Sequence, residues 1–176
     1  MEEAIDSILI TNTQLEERIN ELGAEITKHY DGKPLTTIIL SHGALFFAAD
    51  LLRQIPINLH VDVLQVSSYS GMKSEGLLKF RSELKETIRD RHVLVIDDIY
   101  DSGFTLSEVA KHVQKFSPIS VETCVLLAKD RPGQIGDKPR YQGFDIDDSF
   151  VVGYGMDYNE SYRNLPYIGV LKPEVI

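Results

Sequence analysis

Three carboxylates, two hydroxyls and a glycine fall within one short stretch, Asp97-Asp98-Ile99-Tyr100-Asp101-Ser102-Gly103-Phe104-Thr105, directly behind the apolar run Val93-Leu94-Val95-Ile96. Such a stretch can hold an anion and a polyol side by side. The hydroxyls of Ser102 and Thr105 and the main-chain N–H groups from Asp101 through Phe104 to Thr105 can surround a phosphate, while Gly103 lets the backbone approach closely and adopt unusual dihedral angles. Asp97 and Asp98 would repel that phosphate. They suit sugar hydroxyls, which donate to carboxylates, or a Mg²⁺ ion held through water. A sugar phosphate satisfies both halves. An isolated Asp pair is more simply a solvated strand end, and an isolated Asp101 a helix cap. In this setting the binding loop is the better reading. No Gly-Lys-Ser/Thr follows, which excludes a Walker A loop, and Gly153-Tyr154-Gly155 lacks the third glycine of a dinucleotide fingerprint.

A loop of this kind needs a strand before it and a helix after it. Val93 to Ile96 is the clearest core strand, and Leu106, Val109, Ala110 and Val113 recur on one helical face. Upstream, Thr36 to Leu40 is a β-branched run ended by Ser41-His42-Gly43, Ala44 to Arg53 reads as a helix, and Leu59 to Val66 alternates as a half-buried strand does. Another strand is expected at Val121 to Ala128. The alternation predicts an α/β fold whose central sheet is largely parallel and flanked by helices, with ligands gathering at the carboxyl ends of the strands. Ahead of this unit, Thr13 and Glu16 form a capping-box pattern, and Leu15, Ile19, Leu22 and Ile26 predict a helix to about Tyr30, broken by Asp31-Gly32 and Lys33-Pro34. Residues 67–79 are small, polar and glycine-containing, as in a mobile loop or loose hairpin. Closing strands are expected near Gln142 to Ile146 and Phe150 to Tyr154.

Composition sets bounds. The 176 residues suit one domain, and 43% hydrophobic content supplies a core. Cys124 is the only cysteine, so no intrachain disulfide can form, which fits a reducing compartment, and its simplest role is a small buried hydrophobe. With no basic-then-apolar leader and no bilayer-length apolar run, the cytoplasm is the expected location and no membrane partner is expected. A formal charge of −9 makes nucleic acid a poor partner.

The segment Val93 to Leu106 resembles the phosphoribosyl pyrophosphate signature of the type I phosphoribosyltransferases: an apolar strand, two acids, two variable residues, then Asp-Ser/Thr-Gly-X-Thr. Resemblance to the hypoxanthine-guanine branch runs over nearly the whole chain. Leu40-Ser41-His42-Gly43 stands at the family's pyrophosphate loop, Ser67-Ser68-Tyr69 opens its lid, and Phe150 to Tyr158 is similar to its purine-binding segment. The resemblance implies the type I phosphoribosyltransferase fold over residues 1–176, with a lid near 67–79 and a purine-binding hood near 129–170 built with the chain ends. It also implies Mg²⁺, the substrates phosphoribosyl pyrophosphate and a 6-oxopurine, and a homo-oligomer, dimer or tetramer. Asp97, Asp98, Asp101, Ser102, Gly103, Phe104 and Thr105 would hold the sugar phosphate, and Asp101 would serve as general base toward purine N7. His42, Gly43 and Arg163 would meet pyrophosphate, and Ser68 and Tyr69 would belong to the lid. Lys129 would read the 6-oxo group, Phe150 would stack on the base, Val151 would meet it through its backbone, and Asp157 would help hold Mg²⁺, with Asp97 and Asp98 as further metal-side acids.

The chain departs from the family at three places. His42 replaces a common Lys or Arg, so a permanent charge gives way to a side chain of a type that titrates near neutrality. Asp97 stands where Glu is frequent, and Lys129 is followed by an unusual Asp130-Arg131. Other readings fit less well. A nucleotide-sensing regulator on the same fold is disfavoured by the acidic balance and the absence of an added DNA-binding domain. A receiver-type switch would carry its acceptor Asp on a different strand from the acidic pair. Lys129 and Phe150 argue against a uracil or adenine transferase.

Overall fold

Val93 and Val95 turn to one side of a sheet and Leu94 and Ile96 to the other, and all four are fully buried. This two-residue period, apolar on both faces, is what a strand covered on both sides requires. The structure is a computed structural model, and it describes residues 2–68, 78–84 and 87–175. In chain order the elements are β1 (Ile5–Ile10), α1 (Asn12–Tyr30), β2 (Leu35–Ser41), α2 (Leu45–Arg53), β3 (Leu59–Ser68), β4 (Leu78–Phe80), β5 (His92–Tyr100), α3 (Phe104–Gln114), β6 (Ser120–Lys129), β7 (Tyr141–Ile146), β8 (Val151–Val152) and β9 (Ile168–Leu171).

The main sheet has the order β4-β3-β2-β5-β6-β7, and every pairing except β3 with β4 is parallel. One face is covered by α1 and α2, which bring Leu15, Leu22, Ile26, Phe47 and Leu51 against Leu94 and Ile96. The other is covered by α3, whose Leu106, Val109 and Val113 meet Val93 and Val95. Each such side chain contributes roughly 1.5–3 kcal/mol through burial. The expected α/β architecture is thus the observed one.

Two local expectations change. The cap of α1 is Thr11, not Thr13: its hydroxyl accepts from the Gln14 N–H and its own N–H donates to the Gln14 side chain, while Glu16 is taken up by Asn12. The strand expected from Phe150 to Tyr154 is reduced to Val151–Val152, because Gly153, Tyr154 and Gly155 all have positive φ and turn the chain. A small second sheet, β1-β9-β8, joins both chain ends, and its members β1 and β9 were not read from sequence. The stretch from Ser67 to Lys79 begins and ends in an antiparallel ladder, Ser67 with Lys79 and Ser68 with Leu78. Residues 69–77, Tyr69 among them, lie outside the described residues. No helix among the described residues is long and apolar enough to cross a membrane.

Candidate active site

The carboxyl ends of β2 and β5 open into a cleft of about 710 Å³, lined by Ser41, His42 and Gly43, by Asp97 through Leu106, and by Asp157, Glu160 and Arg163. Its floor is the sequence-predicted loop. Strand β5 runs on through the acidic pair to Tyr100, so Asp97 and Asp98 belong to the strand's end and inherit its fixed geometry. Gly103 caps α3 with φ 81°, and a side chain there would run into the Ile135 carbonyl and the Tyr100 ring. No side chain outside the turn caps α3, and the Phe104 N–H reaches only the Ser102 hydroxyl, at 3.3 Å. Amides and hydroxyls of this loop therefore face the cleft with capacity for an anion.

The acidic pair is held tightly. The Asp98 N–H donates to Asp97 Oδ1 at 3.0 Å and the Ile99 N–H to Asp98 Oδ1 at 3.0 Å. Asp97 is only 8% exposed, and burial, reinforced by the Asp98 charge beside it, pushes its carboxyl well above the usual carboxylate range. Burial raises Asp98 as well, opposed chiefly by its hydrogen bond with Asp97. Across the cleft, a Cβ on Gly43 would occupy the place of the Asp98 carboxylate, so any larger residue at 43 would displace that side chain. The Ser41–His42 peptide is cis.

Arg163 closes the opposite wall. Its guanidinium donates to the Gly155 carbonyl at 2.9 Å and pairs with Asp157 at 2.8 Å and Glu160 at 3.2 Å. Gly155, at φ 106°, lies against the Gly43 carbonyl, which brings the β8–β9 connection onto the loop after β2. Among the described residues no cluster of three or more His, Cys, Asp or Glu could hold a metal alone. Mg²⁺ asks for less, because it keeps several waters and takes one or two carboxylates together with substrate phosphates. Asp157, Asp97 and Asp98 on a single cleft fit that demand.

Residues 7–159 match the family described as the phosphoribosyl transferase domain. The chain belongs to this family. It is similar to the hypoxanthine-guanine-xanthine phosphoribosyltransferase of Tritrichomonas foetus, with 39% identity over 99% of this chain and 96% of that one. It is 40% identical to a hypoxanthine-guanine phosphoribosyltransferase of Staphylococcus aureus over 99% of this chain and 98% of the relative. A crystal structure of a hypoxanthine phosphoribosyltransferase from Staphylococcus aureus superposes with a TM-score of 0.95 at 40% identity, covering 99% of this chain and 96% of that one. The type I phosphoribosyltransferase fold read from the sequence is therefore the fold of this chain.

In this phosphoribosyl transferase domain the residues expected to read the base stand beside the cleft and do not line it. Lys129 ends β6, is 8% exposed, and reaches Asp148 at 3.3 Å; burial lowers its pKa, while the Asp101 carboxylate works the other way. Phe150 is 42% exposed and packs edge-on against Tyr158, with ring centroids 5.5 Å apart. Val151 is buried and pairs with Val170. Beside Asp101 stands Arg131, which the sequence marked only as a departure from the family pattern. Its guanidinium pairs with Asp101 at 2.7 Å and also with Asp148. Gln134 had no sequence signal at all, yet its amide donates to the main-chain carbonyls of Asp101 at 2.7 Å and Lys129 at 2.6 Å.

Proposed function

We propose that this chain transfers the 5-phosphoribosyl group of phosphoribosyl pyrophosphate to hypoxanthine and/or guanine, giving IMP or GMP and pyrophosphate, as a cytoplasmic enzyme of purine salvage. One observation carries the reading. The acidic pair, the uncapped loop from Asp101 to Thr105 and the Gly43 turn converge on one cleft, and Lys129 ends the strand β6 that pairs with β5. The names of the similar proteins support the same reaction.

Displacement at the anomeric carbon builds positive charge on the ribose and negative charge on the departing pyrophosphate. The amides and hydroxyls of Asp101 to Thr105 anchor the 5′-phosphate, and Asp97 and Asp98 accept from the ribose hydroxyls, so much of the rate comes from positioning. Asp101, at the start of the loop, accepts or hydrogen-bonds the N7 proton as N9 attacks. The Lys129 ammonium donates to the 6-oxo oxygen, which disfavours the amino group of adenine. Phe150 offers a face for the ring, and Val151 its backbone. His42, Gly43 and Arg163 meet the pyrophosphate. Asp157, Asp97 and Asp98 would hold Mg²⁺, which would offset the leaving-group charge. Ser68, at the end of β3, and Tyr69, which follows it, would exclude water as part of a lid. Self-association as a dimer or tetramer belongs to the same reading.

The test is nucleotide formation by purified protein with phosphoribosyl pyrophosphate and Mg²⁺, offering hypoxanthine, guanine, xanthine, adenine and uracil separately. Turnover of 6-oxopurines alone, abolished by chelator and cut about 100-fold or more in Asp101→Asn, is expected for loss of a proton-accepting group. Turnover of adenine or uracil in preference, or an unaffected Asp101→Asn variant, would contradict the assignment.

A further inference from the structure

The segment after β6 folds back along the phosphate loop. The Ile135 N–H donates to the Ser102 carbonyl at 2.9 Å, and the Gln134 amide ties the Asp101 and Lys129 carbonyls together. On this scaffold the Arg131 guanidinium spans two carboxylates from different parts of the chain, Asp101 Oδ1 at 2.7 Å and Asp148 Oδ1, and Asp148 in turn receives Lys129 at 3.3 Å. Two cations and two carboxylates alternate from the end of β6 to the head of the phosphate loop.

We propose that Arg131 is a positioning residue for Asp101: by gripping Asp101 and Asp148 together it fixes the carboxylate orientation that meets the purine. The proposal rests on the reading above, in which Asp101 receives the N7 proton. Asp101 is 44% exposed and stands on a turn, so its carboxylate would otherwise sample several rotamers. A guanidinium is suited to hold it, because its two terminal nitrogens reach two carboxylates at once, Nη1 to Asp101 and Nη2 to Asp148, which a single ammonium cannot do in the same geometry. The contact at Oδ1 is one of charge, since that oxygen and the guanidinium Nε are buried without a hydrogen bond, and Oδ2 is left for the base. Arg131 and Asp148 are themselves 36% and 65% exposed, so the pairs add little to stability and their value lies in orientation. A displacement of about 1 Å at a reacting group can cost as much as ~100-fold in rate, which makes that orientation worth holding.

The experiment is single-turnover nucleotide formation with hypoxanthine, using the full chain, Arg131→Ala, Arg131→Lys, Asp148→Asn and the Arg131→Ala/Asp148→Asn double variant. Arg131→Ala is expected to slow the chemical step about tenfold, with the melting temperature and the KM for phosphoribosyl pyrophosphate unchanged. Asp148→Asn should slow it less, and the double variant should be no slower than Arg131→Ala, because the two residues act through one contact. Arg131→Lys should recover only part of the rate, since one ammonium cannot hold both carboxylates in the same geometry. A parent-like rate in Arg131→Ala, full recovery by Lys, or losses that multiply in the double variant would overturn the positioning role. A parent protein inactive with every base would instead overturn the assigned reaction, and the role with it.

Discussion

Asp97 shows what a binding site costs its fold. A carboxyl whose pKa is raised in the folded state favours folding while both states are protonated, and that contribution is lost as pH climbs through the folded value. At neutral pH the buried Asp97 carboxyl therefore works against stability. Asp97→Asn keeps the shape and can still accept from the Asp98 N–H. Its thermal melt is expected to lie above the parent's at about pH 8 and to approach it below about pH 4, near the ordinary carboxylate pKa, while activity falls at every pH. A variant less stable than the parent at the higher pH would refute this account of the pair. The acids themselves were legible in sequence because they are consecutive and follow an apolar strand. Their partner Gly43 could be placed near them by family resemblance, but the close approach of Asp98 to it is a through-space contact that no local pattern encodes.

Helix α1 illustrates how far an element can be read. Its apolar spacing located the helix and its buried face correctly, since Leu15, Ile19, Leu22 and Ile26 all point inward. Its cap was placed two residues late, at Thr13 with Glu16, and Thr11 with Gln14 has the same capping spacing. The structure chooses Thr11, where β1 ends at Ile10 and the chain must turn at once into the helix. Thr11→Ala is accordingly expected to cost about 1 kcal/mol in denaturant unfolding, and Thr13→Ala much less. Equal losses would show that the cap is shared. The end of β8 was over-read for a related reason. Apolar residues continue to Tyr154, but the positive φ values from Gly153 to Gly155 end the strand early and bring the chain onto the Gly43 loop.

At the scale of the molecule, two sheets divide the labour. The six-stranded sheet carries the phosphate loop and the acidic pair, while β1, β9 and β8 support the segment bearing Asp157 and Arg163. Strand β9 is the middle strand of the small sheet, so removing residues 2–9 would strip one of its two neighbours. Such a truncation is expected to abolish binding of a purine base while ribose 5-phosphate still binds, as calorimetry can read. Loss of both together would mean that the two sheets form one cooperative unit. By itself, the sequence determined the α/β class, most helices and strands of the main sheet, and the sugar-phosphate loop. Each of these is written in neighbouring residues, through apolar period, turn residues or a contiguous motif. Tertiary structure alone decided the strand order, the pairing of the chain ends, and the contacts of Arg131 and Gln134 with the phosphate loop. Those depend on surfaces brought together across long stretches of chain, where a guanidinium or an amide meets its partner only after the core has packed.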